Sequence, residues 1–258
     1  MKHIVFFSGG IGSWMTANRV IDKHGKENVI LLFTDTLIED EDLYRFMDDV
    51  EVDLGIPITR IADGRTPWEV FKDVRWLGNS RLAQCSHILK QKPAEKWIKD
   101  NFKPDECILY LGIDWSEEHR TKAPTKNWAP YKVEFPMCEP PYMYKHDMID
   151  ALKKKGIEVP LLYKLNFSHN NCGGRCVRGG QGHWAHLLEL MPDRFNEVEG
   201  FEKEMQEFLE KDVTILKRTI DGEQENLSLQ KLREEYEAGK KEQLDMFDIG
   251  GCGCFIDG

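Results

Sequence analysis

Small and hydroxyl-bearing residues stand where an apolar run near the N-terminus ends. The stretch "IVFFSGGIGSW" places Ser8, Gly9 and Gly10 directly after four apolar residues, and Ser13 follows as an apolar helical pattern begins. Glycines let backbone amides approach a ligand, and the first helical turn carries unpaired N–H groups and a positive dipole end. These groups predict a phosphate-binding loop. A tight strand-to-helix turn with incidental serines is the alternative.

The cysteines supply a second kind of chemistry. Of the seven in the chain, Cys172 and Cys176 lie in the glycine-rich loop "NNCGGRCVRGGQGHW", and Cys252 and Cys254 lie in "GGCGCFIDG". In a reducing compartment, such close pairs are typical of metal ligands or redox thiols. Four thiolates can hold an iron–sulfur cluster or a zinc ion. A zinc site of Cys172, Cys176 and nearby histidines is one alternative, and a redox dithiol is another.

Cys85 is a further candidate for thiol chemistry. Arg81, His87 and Lys90 lie close to it in the sequence. Nearby positive charge lowers the pKa of a thiol and favours the reactive thiolate. Cys85 is therefore a candidate nucleophile, sulfur carrier or cluster ligand, and a buried inert cysteine is the alternative.

An alternation of strands and helices in the first half of the chain positions these groups. The apolar runs "HIVFF", "VILLFTDT", "ITRIAD" and "CILYLGI" predict strands, and helical patterns cover Ile11 to His24, Glu41 to Leu54 and Lys92 to Phe102. Continuous apolar strands separated by helices predict an α/β fold with a doubly wound, mostly parallel sheet. Ligands of such sheets bind beyond the carboxyl ends of the strands, which is where Ser8 to Ser13 fall.

The second half of the chain differs from the first in its composition and in its pattern of apolar residues. The stretch "APTKNWAPYKVEFPMCEPPYMYKHD" carries five prolines and predicts an ordered but irregular crossing segment. A helix is predicted from Asp147 to Lys155, and helices resume from about Trp184 through an acidic tail. We therefore predict a nucleotide-binding domain over residues 1–125. Residues 126–258 are predicted to form the crossing segment, the cysteine-containing loop and a mainly helical appendage.

Charge and hydropathy limit the function classes. The net charge is −10, and the segment from Glu197 to the end holds 17 acidic and 8 basic residues. This acidity argues against a broad basic face for nucleic acid, although the nearly neutral remainder can hold a local basic site, for instance near Arg175 and Arg178. Neither a membrane-spanning stretch nor a secretion signal is visible. We expect a cytoplasmic protein that does not bind a membrane.

Four stretches of the first 120 or so residues resemble, in order, the PP-loop ATP pyrophosphatases (adenine nucleotide alpha hydrolase-like superfamily). "SGGIGS" resembles their SGG-x-x-S signature, and "TDTLIEDEDLYRF" resembles the Asp-Thr segment that ends their second strand. "CSHILKQKPAEKWI" and "LGIDWSEEHR" resemble later motifs of the branch that contains phosphoadenosine phosphosulfate (PAPS) reductases. Ile11 and Gly12 replace the Lys or Asp of many members, and the Glu-Cys-Gly-hydrophobic-His ending of true PAPS reductases is missing.

The resemblance implies a Rossmann-like sheet, ATP and Mg²⁺ as ligands, and a role for each matching residue. The implied nucleotide-binding residues are Ser8, Gly9, Gly10, Gly12, Ser13, Asp35, Thr36, Lys90 and Arg120. Of these, Asp35 is expected to hold a magnesium-bound water or a ribose hydroxyl, with helix capping as the alternative. Cys85, Asp35 and Arg120 are the catalytic candidates. A 4Fe-4S cluster on Cys172, Cys176, Cys252 and Cys254 gains weight from the family, with Zn²⁺ as the alternative.

The function implied is an enzyme that cleaves ATP to AMP and pyrophosphate and adenylates an acceptor, for sulfur transfer. A sulfonucleotide reductase that uses a cysteine thiolate is the first alternative, and a non-catalytic nucleotide sensor is the second. The acceptor stays open between tRNA, DNA, a small metabolite and a protein thiol. A homo-oligomer is also left open.

Overall fold

The computed structural model describes residues 1–79, 82–220, 222–239, 245, 247, 248 and 250. Within these residues, one sheet of five parallel strands has the order β3-β2-β1-β4-β5. The strands are β1 (Lys2–Phe6), β2 (Val29–Asp35), β3 (Ile58–Ala62), β4 (Cys107–Tyr110) and β5 (Lys132–Glu134). The direction of winding reverses between β1 and β4. The predicted doubly wound parallel sheet is therefore confirmed.

Helices follow or connect these strands and continue into the second half of the chain. They are α1 (Ile11–His24), α2 (Glu41–Leu54), α3 (Pro67–Asp73), α4 (Lys92–Asn101), α5 (Lys122–Asn127), α6 (Lys145–Lys154), α7 (Leu161–Lys164), α8 (Gln181–Leu190), α9 (Pro192–Leu209) and α10 (Leu229–Glu237). A π-helix over Ser86–Gln91 leads directly into α4. None of the helices in the described part of the chain combines the length and apolar character needed to span a membrane.

Side chains of β1 alternate between two apolar cores, one on each face of the sheet. Val5 and Phe7 pack with residues of α1, α2 and α6, whereas Ile4 and Phe6 pack with residues of α4 and β4. All four side chains are buried. Because both faces are covered, the middle of each central strand is continuously apolar, which explains the apolar runs in the sequence.

The crossing segment contains more regular structure than its prolines indicate. A 3₁₀ helix over Trp115–Thr121 and the short helix α5 precede β5, which pairs in parallel with β4. β5 has only three residues, too few to show a periodic pattern, and the sequence analysis therefore did not predict it. The fifth strand thus comes from the part of the chain after residue 125, and the division into 1–125 and 126–258 stays a prediction.

The acidic tail also departs from the expected run of helices. Strands β6 (Leu216–Ile220) and β7 (Glu223–Leu227) form an antiparallel hairpin between α9 and α10. The Arg218 guanidinium is buried in ion pairs with the carboxylates of Glu225 and Glu235, the latter at 2.7 Å. These pairs tie the hairpin to α10. Some charged residues of the acidic tail are therefore paired inside the appendage.

The appendage has its own apolar core, which also includes side chains of α3. Trp184 of α8 and Phe195 of α9 are fully buried there with Phe71. Glu202 is also buried, and its carboxylate oxygens accept hydrogen bonds from the backbone N–H groups of Ile215 (2.7 Å) and Leu229 (2.6 Å). Burial raises the pKa of Glu202 to about 7. The Glu202 carboxyl group therefore joins α9 to the residues on either side of the hairpin, and its contribution to the free energy of unfolding depends on pH.

Candidate functional site

The predicted phosphate loop joins the end of β1 to the start of α1. Gly9 lies in the left-handed region of backbone space, with φ of 75°. A Cβ atom added at Gly9 would stand 2.7 Å from Cγ of Leu43. Both the backbone angle and the close approach of α2 therefore require glycine at this position.

Hydroxyl groups and helix-terminal amides meet inside this loop. The Ser13 hydroxyl donates to the Gly10 carbonyl at 2.8 Å, and the Ser8 hydroxyl lies 3.4 Å from the Ser13 oxygen. The first N–H groups of α1 have no acceptor within the helix, as at any helix N-terminus. The loop thus presents amides, a positive dipole end and hydroxyls from one place, which is the combination that binds phosphate.

The segment after β4 approaches α1 through a second pair of glycines. A Cβ atom added at Gly112 would lie 3.2 Å from the Gly12 carbonyl oxygen and 3.1 Å from the Thr16 hydroxyl. This contact brings the residues that follow β4 against the start of α1. Gly12, which the sequence motif predicts as a phosphate contact, therefore also has a packing role.

A cavity of about 240 Å³ opens beyond the carboxyl ends of β1 and β4. The strands diverge there, and in open α/β sheets ligands bind at such a switch point. Its lining includes four residues of the predicted loop, side chains of the 3₁₀ helix after β4, and residues of the second half of the chain. These are Ser8, Gly10, Gly12 and Ser13; Asp114, Glu117 and Arg120; and Lys145, Tyr163, His169 and Asn170.

Two cationic side chains reach this cavity. Arg120, which the sequence predicts as a phosphate contact, is mostly buried and pairs with the carboxylate of Glu117. Lys145, at the start of α6, donates from Nζ to the Ser168 carbonyl at 2.9 Å and lies 4.3 Å from the centre of the Tyr163 ring. Desolvation of the ammonium group lowers the pKa of Lys145. The sequence analysis missed Lys145 because its neighbours in space are distant in sequence.

Asn170 connects the cysteine-containing loop to the phosphate loop. Its side chain is 1% exposed, and Nδ2 donates to the Gly9 carbonyl at 2.9 Å. A carbonyl can only accept a hydrogen bond, so the amide nitrogen must face Gly9 and the oxygen must face away. Within the described residues, that Oδ1 atom is buried with no hydrogen-bond partner. Buried polar atoms of this kind call for an explanation, and a bound ligand is one.

His169 precedes Asn170 in the cavity wall and stays neutral. Burial, aided by the charges of His183, Lys90 and Lys145, lowers the pKa of His169 to about 3. The imidazole therefore offers one N–H donor and one nitrogen acceptor at physiological pH, without a positive charge. Its contribution at the cavity is hydrogen bonding rather than charge.

Asp35, Thr36 and Lys90 lie together with Glu39 but are not among the residues that line the cavity. The Asp35 carboxylate accepts hydrogen bonds from the Tyr44 hydroxyl at 2.9 Å and from the backbone N–H of Leu37 at 2.8 Å. The Thr36 hydroxyl donates to Glu39 at 2.9 Å, and Lys90 Nζ lies 3.5 Å from the same carboxylate.

The ion pair between Glu39 and Lys90 is deeply buried. The Glu39 and Lys90 side chains are only 1% and 5% exposed, and Glu39 also accepts from the backbone N–H of Cys172. Because removing either partner leaves an uncompensated buried charge, such pairs are costly to break. The structure thus shows Lys90 joining the π-helix to the end of β2 and to the cysteine-containing loop. The sequence analysis missed Glu39, for which it offered no signal beyond an acidic run.

Cys172 and Cys176 form a buried pair behind this ion pair. The hydrogen bond with Cys176, burial and the Glu39 carboxylate raise the pKa of the Cys172 thiol well above its usual value. Both side chains pack with Ile38, and Cys172 has a positive φ of 55°. The two thiols are therefore adjacent, and the raised pKa keeps the Cys172 thiol protonated.

Of the other cysteines of the predicted sites, the structure describes Cys85 alone. Cys85 stands at the start of the π-helix, is half-buried and packs against the apolar core of the appendage. Cys252 and Cys254 lie outside the described residues. Among the residues that are described, three or more cysteine, histidine or acidic side chains are nowhere arranged as a metal site.

The predicted basic site near Arg175 is occupied by internal contacts. The Arg175 guanidinium donates to Glu197 and to the Ile38 carbonyl, both at 2.7 Å. Its side chain is only 14% exposed. Arg175 therefore stabilises the cysteine-containing loop rather than presenting charge at the surface.

Comparison with known proteins begins at the level of sequence. No protein-family model matches the chain. Over 117 residues, the chain is 33% identical to an uncharacterized protein of Methanocaldococcus jannaschii, in a match that covers 43% of this chain and 22% of that protein. The chain thus spans about a fifth of the length of this curated relative.

Two enzymes are among the solved structures that the chain is similar to. A phosphoadenylyl-sulfate (PAPS) reductase from Candida auris, in a phosphate complex, has a TM-score of 0.44 and 14% identity, with 65% of this chain and 78% of that chain covered. An NH₃-dependent NAD synthetase from Campylobacter jejuni, in complex with nitrate, has a TM-score of 0.42 and 13% identity, with 82% and 84% covered. At this level of similarity, the function has to be inferred from the chain's own residues.

Proposed function

We propose that this chain binds ATP at the switch-point cavity, cleaves it between the α and β phosphates, and adenylates an acceptor. The observation that carries the proposal is the convergence of the Ser8–Ser13 loop, Arg120 and Lys145 on one cavity. The loop supplies amides and hydroxyls, and the two side chains supply positive charge. A polyphosphate is the ligand that satisfies all of these groups together.

The residues would act by holding the leaving pyrophosphate. An acceptor oxygen attacks the α phosphorus, the bond to the bridging oxygen breaks, pyrophosphate leaves with the electron pair, and the acceptor's proton passes to solvent. Amides at the start of α1 and the guanidinium of Arg120 would stabilise the charge that develops on the leaving group. Arg120 would exchange its pairing with Glu117 for phosphate oxygens. The adenylated acceptor would then be open to attack by sulfur.

Mg²⁺ requires oxygen ligands beside the phosphates, and the cavity wall offers two carboxylates. Asp114 and Glu117 both line it. Asp114 already accepts from the Ser116 hydroxyl at 2.6 Å, so its orientation is fixed. These residues fit the ion better than Asp35, which is not among the residues that line the cavity. When bound, Mg²⁺ would neutralise phosphate charge.

The orphaned oxygen of Asn170 supports a nucleotide rather than a bare polyphosphate. The Asn170 Oδ1 atom can only accept hydrogen bonds, and ionised phosphate oxygens also only accept, so a phosphate group cannot pair with it. A donor is needed, and ribose hydroxyls or a metal-bound water would supply one.

The sulfur chemistry of this proposal depends on the cysteines. In this proposal Cys172 and Cys176 would provide two ligands to a 4Fe-4S cluster or alternatively to Zn²⁺, with Cys252 and Cys254 as the proposed other two. Metal binding would release the thiol protons of the pair. An anaerobic absorption spectrum with iron and zinc analysis distinguishes a cluster, a zinc ion and metal-free thiols.

Turnover of ATP tests the proposed reaction. With labelled ATP, Mg²⁺ and a cell extract as a source of acceptors, we expect pyrophosphate in an amount equal to the sum of free AMP and adenylated acceptor. Sulfite release from PAPS would instead identify a sulfonucleotide reductase. Tight ATP binding with no cleavage in any extract would identify a nucleotide sensor, and an absence of binding would overturn the assignment.

A further inference from the structure

Four aromatic side chains form a continuous cluster on the surface. Trp115 lies 5.6 Å from Tyr142 and 5.2 Å from Tyr144, measured between ring centres, and Tyr144 stacks on His146 at 5.6 Å with 10° between the rings. The Trp115 indole N–H donates to the Met143 carbonyl at 3.2 Å, which fixes the cluster on the crossing segment. We refer to Trp115, Tyr142, Tyr144 and His146 as the aromatic platform.

Much of the platform faces solvent rather than a core. Tyr142 and Tyr144 are 57% and 56% exposed, and the His146 side chain is 74% exposed. Aromatic rings contribute most to stability when they are buried, so a cluster of ordered rings left open to water is typical of a binding surface. The stacked geometry leaves ring faces available for another planar group.

The platform adjoins the proposed nucleotide cavity. Trp115 lies between Asp114 and Glu117 in the sequence, and Lys145 lies between Tyr144 and His146. Asp114, Glu117 and Lys145 all line the cavity. The platform is therefore carried by the same two segments that line the cavity.

The charge around the platform differs from that of the whole chain. Residues 115–127 and 142–155 together hold seven lysines and arginines and four acidic residues, a net charge of +3, whereas the whole chain has −10. Lys122 and Lys126 are exposed on α5, which follows the 3₁₀ helix that begins at Trp115. Exposed rings flanked by cations are the combination that holds bases and phosphates of a single strand.

We propose that the aromatic platform binds a single-stranded nucleic acid by stacking an unpaired base, with phosphates held by lysines of α5 and α6. A polymer is favoured over a free nucleoside because the platform is open and covers one face of a ring, so contacts to neighbouring phosphates are needed. The idea that this strand is also the acceptor that becomes adenylated rests on the proposed function. The binding of the strand to the platform does not depend on that function.

Fluorescence anisotropy with a labelled 15-nucleotide single strand, as RNA and as DNA of mixed sequence, tests the proposal in the absence of ATP. We expect Tyr144→Ala and Tyr142→Ala each to weaken binding about tenfold, and Tyr144→Phe to retain it, because stacking of one base on an aromatic ring is worth about 1–3 kcal/mol. Phe208→Ala removes another ring, 43% exposed, from outside the platform and is the matched control.

The salt dependence supplies a second readout. If Lys122 and Lys126 contact phosphates, Lys122→Ala and Lys126→Ala should each lower the slope of log affinity against log salt by about 1. A duplex of the same sequence should bind more weakly than the single strand, since its bases are not available for stacking.

Three results would overturn the inference. One is that neither strand binds although ATP does. Another is that free nucleosides displace the strand at comparable concentrations, which would assign the platform to a small molecule. The third is that ATP displaces the strand competitively, which would assign the rings to adenine. Strand binding without any ATP binding would instead overturn the proposed function and leave this inference standing.

Discussion

Replacing Asn170 by alanine tests whether the cysteine-containing loop takes part in ligand binding. The side chain makes one hydrogen bond, from Nδ2 to the Gly9 carbonyl at 2.9 Å, and its buried Oδ1 has no partner in the described structure. Losing the hydrogen bond leaves the buried Gly9 carbonyl without this donor and costs about 1–3 kcal/mol, whereas removing an unsatisfied buried acceptor recovers about 1–3 kcal/mol. The two effects oppose each other, so the free energy of unfolding of the ligand-free Asn170→Ala protein should lie within about 2 kcal/mol of the wild-type value.

The ligand-bound protein should respond differently. With ATP present, the wild type gains a donor for Oδ1 and keeps the Gly9 carbonyl oriented. The variant lacks both effects, so we expect its Kd for ATP to rise about five- to tenfold, which corresponds to about 1–1.4 kcal/mol. Tripolyphosphate, which has no ribose, should lose less affinity than ATP does.

Calorimetric titration with ATP and tripolyphosphate, with and without Mg²⁺, and thermal unfolding of the ligand-free protein give the required quantities. Asn101→Ala is the matched control, because Asn101 also donates to one backbone carbonyl, that of Trp97 at 2.7 Å, but does not line the cavity. A loss of more than about 3 kcal/mol in stability with unchanged ATP affinity would refute the reasoning. Asn170 would then be a structural residue only.

Three further predictions concern the phosphate loop, the cavity and the appendage. Gly9→Ala should lower both stability, by about 2–3 kcal/mol, and ATP affinity, because it adds backbone strain and a clash with Leu43. At Gly64, φ is 101° and no atom lies within 4 Å of an added Cβ, so Gly64→Ala should show the effect of backbone strain alone. Equal losses of stability in the two variants would contradict a clash at Gly9. Arg120→Ala should weaken ATP binding at least tenfold with little change in thermal stability, and unchanged calorimetric affinity would remove Arg120 from the site. Glu202 keeps its proton in the folded chain up to about pH 7, against an ordinary pKa of 4.5. The free energy of unfolding should therefore fall by up to about 3 kcal/mol as the pH rises from about 4.5 to 7. Urea unfolding of the wild type and Glu202→Gln across this range checks the sign, and parallel curves would contradict it.

Local patterns in the sequence were enough for four of the five strands of the parallel sheet and for its first two helices. Glycines at 10 and 25 border an uninterrupted helical pattern, and α1 has the predicted bounds, Ile11–His24. α2 also matches, because Asp40 caps its N-terminus and Gly55 ends it with a positive φ. Each of these signals lies within a few residues of the element it defines.

The contacts that complete the candidate site could not be read in this way. Asn170 and Gly9 are 161 residues apart, and the Glu39–Lys90 pair joins segments that share no local pattern. Such contacts arise only when the appendage packs against the sheet. The hairpin β6–β7 was missed for a related reason, because Arg218 and its carboxylate partners look solvent-exposed until the fold brings them together.

A crystal structure with α,β-methylene ATP and Mg²⁺ would test the central claim most directly. The account predicts the β and γ phosphates against the amides at the start of α1 and the hydroxyls of Ser8 and Ser13, with Arg120 turned toward them. Nucleotide bound elsewhere, with the glycines of this loop covered by neighbouring side chains, would contradict it.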